Sequence, residues 1–118
     1  MRAYELMIIY RGDLAEDAVD ELLDRALAGL AAAGIEVDPE RVNRWPKRRF
    51  AYEIDHLNEG YYVVIEFVSA GVDLSAFERS LRLADAVVRH KLIRLPDSEA
   101  SRRGLLGKAS DPVAAEAT

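Results

Sequence analysis

Cysteine is absent from this 118-residue chain, which excludes disulfides, thiolate nucleophiles and cysteine-based zinc sites. Histidine occurs only as His56 and His90, and neither has a second ligand at metal-site spacing, so no metal and no cofactor are expected. Long apolar runs are missing as well. The segment Met1 to Tyr10 is too short for a signal peptide and is interrupted by Glu5, and no stretch is long enough to cross a membrane; a cytoplasmic location is expected. There is no glycine-rich phosphate loop and no acid pair at catalytic spacing, which argues against an enzyme. Positive charge is in the minority, with 16 Lys and Arg against 21 Asp and Glu. A net charge of −5 speaks against indiscriminate coating of nucleic acid, because non-specific affinity comes mostly from phosphate neutralisation. It leaves room for a local basic site.

Such a site is present. Arg41, Arg44, Lys47, Arg48 and Arg49 fall within nine residues that contain no acid, and the only tryptophan, Trp45, lies among them. The stretch continues into Phe50, Tyr52 and Ile54, whose alternation is that of a half-buried strand. Most of the basic residues are arginine, whose planar fork suits bidentate phosphate contacts and stacking.

Along the chain, Ala3 to Tyr10 reads as a first strand. Asp13 and Glu16 have the spacing of a capping box, and Val19, Leu22, Leu23, Ala26, Leu27 and Leu30 follow helical spacing up to a stop at Gly34. An extended segment runs from Ile35 to Ile54, with Pro46 marking an edge or a bulge. A turn over Asp55 to Gly60 reverses the chain into the strand Tyr61 to Val68. Asp73 can cap a second helix in which Leu74, Phe77, Leu81 and Ala84 share a face, and Val87 to Leu95 supplies a fourth strand. The order βαββαβ predicts an α+β fold, the ferredoxin-like split βαβ sandwich: a four-stranded antiparallel sheet with two helices on one face. Residues 1–95 form the expected domain, and 96–118 a flexible tail in which Arg102 to Leu106 could order on a partner.

With helices on one side, the other side of the sheet is open. Strand alternation places Phe50, Tyr52 and Ile54 toward the core and Lys47, Arg49, Ala51 and Glu53 on the open face, with Arg48 sharing the parity of the core set. The fourth strand puts either Arg89 or His90 on the open side. A basic, partly aromatic strand beside an uncovered sheet suits RNA; the same charges also suit a solvated edge strand protected against pairing. A third possibility is a small regulatory sandwich that dimerises through its open face around a ligand. Arg11-Gly12-Asp13 reads as a turn into the first helix.

Four segments together resemble the bacterial small-subunit ribosomal protein S-six family. They are Met1-Arg2-Ala3-Tyr4-Glu5, Trp45 through Ile54, Gly60-Tyr61-Tyr62-Val63, and Leu81 through His90, in order and at compatible spacing. The resemblance implies the same fold and a non-enzymatic role in the small ribosomal subunit. It also implies partnership with the neighbouring protein S-eighteen and binding to the central domain of the small-subunit ribosomal RNA, with neither DNA nor membrane expected. Carried onto this chain, it implies RNA contacts at Arg2, Lys47, Arg48, Arg49, Arg82, Arg89 and His90, and contacts to the protein partner at Trp45 and Tyr62. The family usually has glycine where Pro46 stands, so a bulge that needs positive φ or a donating N–H is not carried over unchanged.

Overall fold

The computed structural model describes residues 1–106. Strands β1 (Arg2–Arg11), β2 (Val42–Ile54), β3 (Leu57–Ser69) and β4 (Val87–Arg94) form one sheet in the order β2-β3-β1-β4. Every neighbouring pair is antiparallel. Helices α1 (Glu16–Ala32) and α2 (Ser75–Leu83) supply the βαββαβ order expected from the sequence. A single 3₁₀ turn, Pro39–Arg41, leads into β2.

The core lies between the two helices and one face of the sheet. Leu6, Ile8 and Tyr10 of β1 and Tyr61, Val63, Ile65 and Phe67 of β3 meet Val19, Leu23, Ala26 and Leu30 of α1 and Leu81 of α2. These spacings are two along the strands and three or four along the helices, so each element buries one stripe. The outer face of α1 carries Glu16, Asp17, Asp20, Glu21 and Asp24, all exposed, and concentrates acidity away from the open sheet face.

Helix α1 ends as the sequence predicts. Gly34 takes φ +90°, and the N–H groups of Gly34 and Ile35 donate to the carbonyls of Ala31 and Leu30, the paired bonds of a Schellman stop. Its start differs: Ala15 is the N-cap without a side-chain bond, and Asp13 accepts instead from Arg11 at 2.9 and 3.0 Å. The nearby guanidinium outcompetes the helix amides for that carboxylate. The cap expected at Asp73 is shifted as well: the N-cap of α2 is Leu74, without a side-chain bond, and Asp73 just before it accepts from the Ser75 amide at 2.9 Å. The β2–β3 turn is tighter than expected, with only Asp55 and His56 between the strands, both at positive φ.

Where a flexible tail is expected from Pro96, Asp97–Arg102 forms a short helix, α3. It follows β4 directly and folds onto the other face of the sheet. Ala100 packs with Ala3 and Leu95, joined by Val68, Leu105 and Leu106. Arg103 then donates to Glu5 at 3.0 Å, Glu66 at 2.7 Å and Glu99 at 2.6 Å. Part of the face opposite the helices is therefore covered by the chain itself. Residues 107–118 of the expected tail lie outside the described residues.

Tyr10 is 1% exposed, and burial pushes its phenol from 10.0 up to about 12. A folded-state pKa above the unfolded one means that the native state holds its proton longer. The contribution of Tyr10 to stability is thus fully present below pH 10.0 and is lost as pH rises toward about 12. The expected slope is about 1.4 kcal/mol per pH unit. Denaturant titrations across this range check it, and Tyr10→Phe is expected to remove that part of the decline.

Candidate nucleic-acid and protein interface

The basic stretch occupies edge strand β2, and its geometry is decided by an irregularity at Trp45-Pro46. Arg44 lies opposite Val63 and Lys47 opposite Tyr61, so three steps along β2 face two along β3. One extra residue is accommodated as a bulge, at the proline that cannot donate to the ladder. Arg44 and Lys47 consequently point to the same face, that of the helices. Arg44 Nε donates to Asp20 Oδ1 of α1 at 2.6 Å, and its guanidinium lies 5.3 Å from the Tyr61 ring centroid. Lys47 Nζ lies 5.5 Å from the same ring and 3.8 Å from Glu59.

The expected facing of β2 is therefore corrected. Lys47 and Arg49, expected on the open face, pair in register with Tyr61 and Glu59 on the helix-bearing side. Phe50, expected in the core beneath the helices, is buried on the opposite side, edge-on to Tyr62 at 6.1 Å between centroids. Tyr52, also assigned to the core, is 69% exposed. The alternation itself holds from Lys47 to Phe50; what differs is the face each set takes, because Phe50 finds apolar cover against Tyr62 on the side away from the helices.

The bulge brings Arg48 to the open face. Its guanidinium sits 4.8 Å from the Trp45 ring centroid and 5.8 Å from that of Tyr62, and the two rings are 6.2 Å apart. Such cation–aromatic stacking leaves the outer guanidinium N–H groups free to donate. Gly60, opposite Arg48, permits the arrangement: a Cβ there would lie 2.9 Å from Phe50 Cζ and 2.7 Å from the Tyr10 carbonyl oxygen. Across the sheet, Arg89 of β4 pairs with Ile9 of β1. A shallow depression joins the two sides, floored by Met7, Ile9, Phe50, Ile54 and Tyr62 and reached by Arg89.

The fourth strand is now unambiguous. Arg89 and Lys91 lie beside Ile9 and Met7 on the open face, while His90 lies beside Ile8 and faces the helices. The His90 Nε2 is 3.1 Å from Glu78 Oε1 of α2, in a half-buried setting. Arg82, exposed on the last turn of α2, borders a second depression together with Arg89 and His90. Arg2 stands at the opposite end of the sheet, paired with Ser69.

The residues singled out in the sequence thus fall into three places. Trp45, Arg48 and Tyr62 form one cluster on the open face, with Lys47 and Arg49 on the reverse of the same strand. Arg82, Arg89 and His90 form another at the β4 edge, and Arg2 is apart. Among the described residues, Arg48, Arg49, Arg82 and Arg89 make no ion pair, whereas Arg41, Arg44 and Arg103 are each held by carboxylates. Met7, Ile9 and Lys91 were not singled out. For Met7 and Ile9 the signal lay in the continuous apolar run Leu6-Met7-Ile8-Ile9, which marks a strand with apolar residues on both faces.

A split βαβ sandwich whose exposed sheet face stacks an arginine outside any ion pair on aromatic rings defines an α+β module of the ferredoxin-like class. Known proteins place it more narrowly. A model of the family described as ribosomal protein S6 matches residues 3–94. The small ribosomal subunit protein bS6 of Alkaliphilus oremlandii is 39% identical over 95 residues, covering 80% of this chain and 98% of that protein. The corresponding protein of Salinispora arenicola is 42% identical over 94 residues, covering 80% and 96%. The crystal structure of 30S ribosomal protein S6 from Thermotoga maritima superposes with a TM-score of 0.78 at 32% identity, covering 87% of this chain and 95% of that one. The chain belongs to the ribosomal protein S6 family. As a member it is a structural, non-enzymatic protein of the small ribosomal subunit, located with the ribosome in the cytoplasm.

The bulge itself is open to test. Pro46→Gly is expected to lower stability by about 0.4–1 kcal/mol, because glycine frees the unfolded chain. It is also expected to loosen the Trp45–Tyr62 contact. Chemical denaturation and tryptophan fluorescence anisotropy measure the two effects.

Proposed function

We propose that this protein binds the central domain of small-subunit ribosomal RNA jointly with ribosomal protein S-eighteen, as a structural constituent of the assembled subunit. The observation that carries the proposal is the stack of Arg48 on Trp45 and Tyr62, with Arg89 facing it across an apolar floor. RNA recognition uses this combination, phosphate contacts from arginine beside rings that accept bases or partner side chains. In this proposal Arg48, Arg49, Arg82 and Arg89 neutralise phosphates, and Lys47 contributes from the reverse of β2. His90, held by Glu78, keeps α2 against β4 so that Arg82 and Arg89 stand together. Arg2 supplies a separate contact at the far end. Trp45, Tyr62 and the apolar floor take the protein partner.

Dimerisation through the open sheet has less support, because α3 and Leu105–Leu106 already cover part of that face.

Charge reversal tests the proposal. Arg48→Glu with Arg89→Glu is expected to lower affinity for a central-domain RNA fragment, measured with S-eighteen present, by a hundredfold or more. Each lost phosphate contact is expected to reduce the salt slope by about 1. Circular dichroism is expected to be unchanged, since both side chains lie on the surface. Unaltered affinity and slope would sink the proposal.

A further inference from the structure

The sheet face opposite the helices carries two different surfaces. Around Tyr62 it is aromatic and basic; nearer Arg2 it presents Glu5 and Glu66, adjacent in register on β1 and β3. Carboxylates standing side by side on a sheet repel one another unless a cation lies between them. Here the cation is Arg103. One nitrogen, Nη1, donates to Glu5 Oε2 at 3.0 Å and to Glu66 Oε2 at 2.7 Å, while Nε donates to Glu99. Arg41 approaches Glu66 through its other oxygen, at 3.2 Å. The acids draw the Arg103 guanidinium above its ordinary range, chiefly through the bonds it donates to Glu5 and Glu66.

Apolar contacts flank the guanidinium. Leu105 and Leu106, two and three residues on, pack beside Val68 and the fully buried Ala3. Gly104, at φ +79°, makes the turn that lets arginine and leucines reach the sheet together. The covering segment is a six-residue helix and the turn after it, too short to be stable without this docking. It also lies beyond residue 94, where the match to the S6 family ends. Beneath it is a ready-made receptor: two carboxylates spaced for one guanidinium, next to an apolar shelf.

We propose that Glu5 and Glu66 form an arginine-binding site on the sheet, filled in cis by Arg103, and that segment 97–106 is a displaceable cover. When the cover lifts, the site takes a peptide in trans, one bearing arginine followed closely by apolar side chains. The cis segment holds the advantage of high effective concentration, so a competing peptide binds well only when that advantage is weakened. A macromolecular partner lying along the sheet would then meet arginine and aromatic side chains at one end and acids at the other. This fixes its direction by charge.

The test is an NMR titration of the full-length, isotope-labelled chain with an unlabelled synthetic peptide of sequence 97–106. In Arg103→Ala, the peptide is expected to shift the amides of Ala3–Met7 and Val64–Val68 at least tenfold more tightly than in the unaltered protein. The same peptide with alanine in place of its second arginine is expected to bind at least tenfold more weakly to Arg103→Ala. Adding Glu5→Gln and Glu66→Gln is expected to abolish the shifts. Equal binding by the unaltered and Arg103→Ala proteins, equal binding of the two peptides, or no shifts in Arg103→Ala would overturn the proposal. The peptide comparison is made within one protein and does not depend on how the doubly neutralised variant folds.

Discussion

One extra residue in edge strand β2 determines what the basic stretch can do. Without it, Arg44 and Lys47 would lie on opposite faces, and every side chain from Lys47 to Phe50 would be turned over. With it, Arg44 is tied to Asp20 of α1 and stacks on Tyr61, which anchors β2 to the helical layer. Arg48 is left to lie on Trp45 and Tyr62. The residue at the bulge is proline, which suits a position where the ladder has no place for its N–H. Gly60 completes the arrangement by leaving room for the Phe50 ring above the hairpin.

The sheet then serves two purposes with its two faces. One is a conventional core with α1 and α2. The other is divided by charge. Glu5 and Glu66 are closed over by Arg103 and its leucines, while the aromatic and arginine end stays exposed. Negative charge elsewhere is concentrated on the outer face of α1, so an acidic protein can still present a basic site. Membership of the S6 family gives this division a context, because a ribosomal protein must meet RNA and protein over a small area.

Much of this organisation was legible in the sequence. Helix α1 declared itself through apolar spacing and Gly34, the βαββαβ succession followed from the alternation of patterns, and Pro46 marked the irregularity in β2. The facing of Phe50 and Lys47 was not legible, because alternation separates two sets without saying which one faces the helices, and here Ile9 and Phe50 are buried on the face away from them. The sequence indicates that a break exists but not whether a residue is added. Helix α3 escaped for a different reason. Its docking rests on Arg103 meeting Glu5, 98 residues away, and Glu66, 37 residues away. A six-residue helix has too little periodicity to announce itself, and a contact of that range leaves no local pattern. Asp13 shows the converse: a correct capping spacing lost to a nearer arginine.

The most direct test of the account is a hydrogen-exchange footprint of the chain, free and bound to the central-domain RNA fragment together with S-eighteen. New protection is expected at residues 44–50 of β2 and around Arg89 in β4, with the outer face of α1 unchanged. Protection confined to α1 and the 3₁₀ turn, with β2 and β4 exchanging as in the free protein, would contradict it.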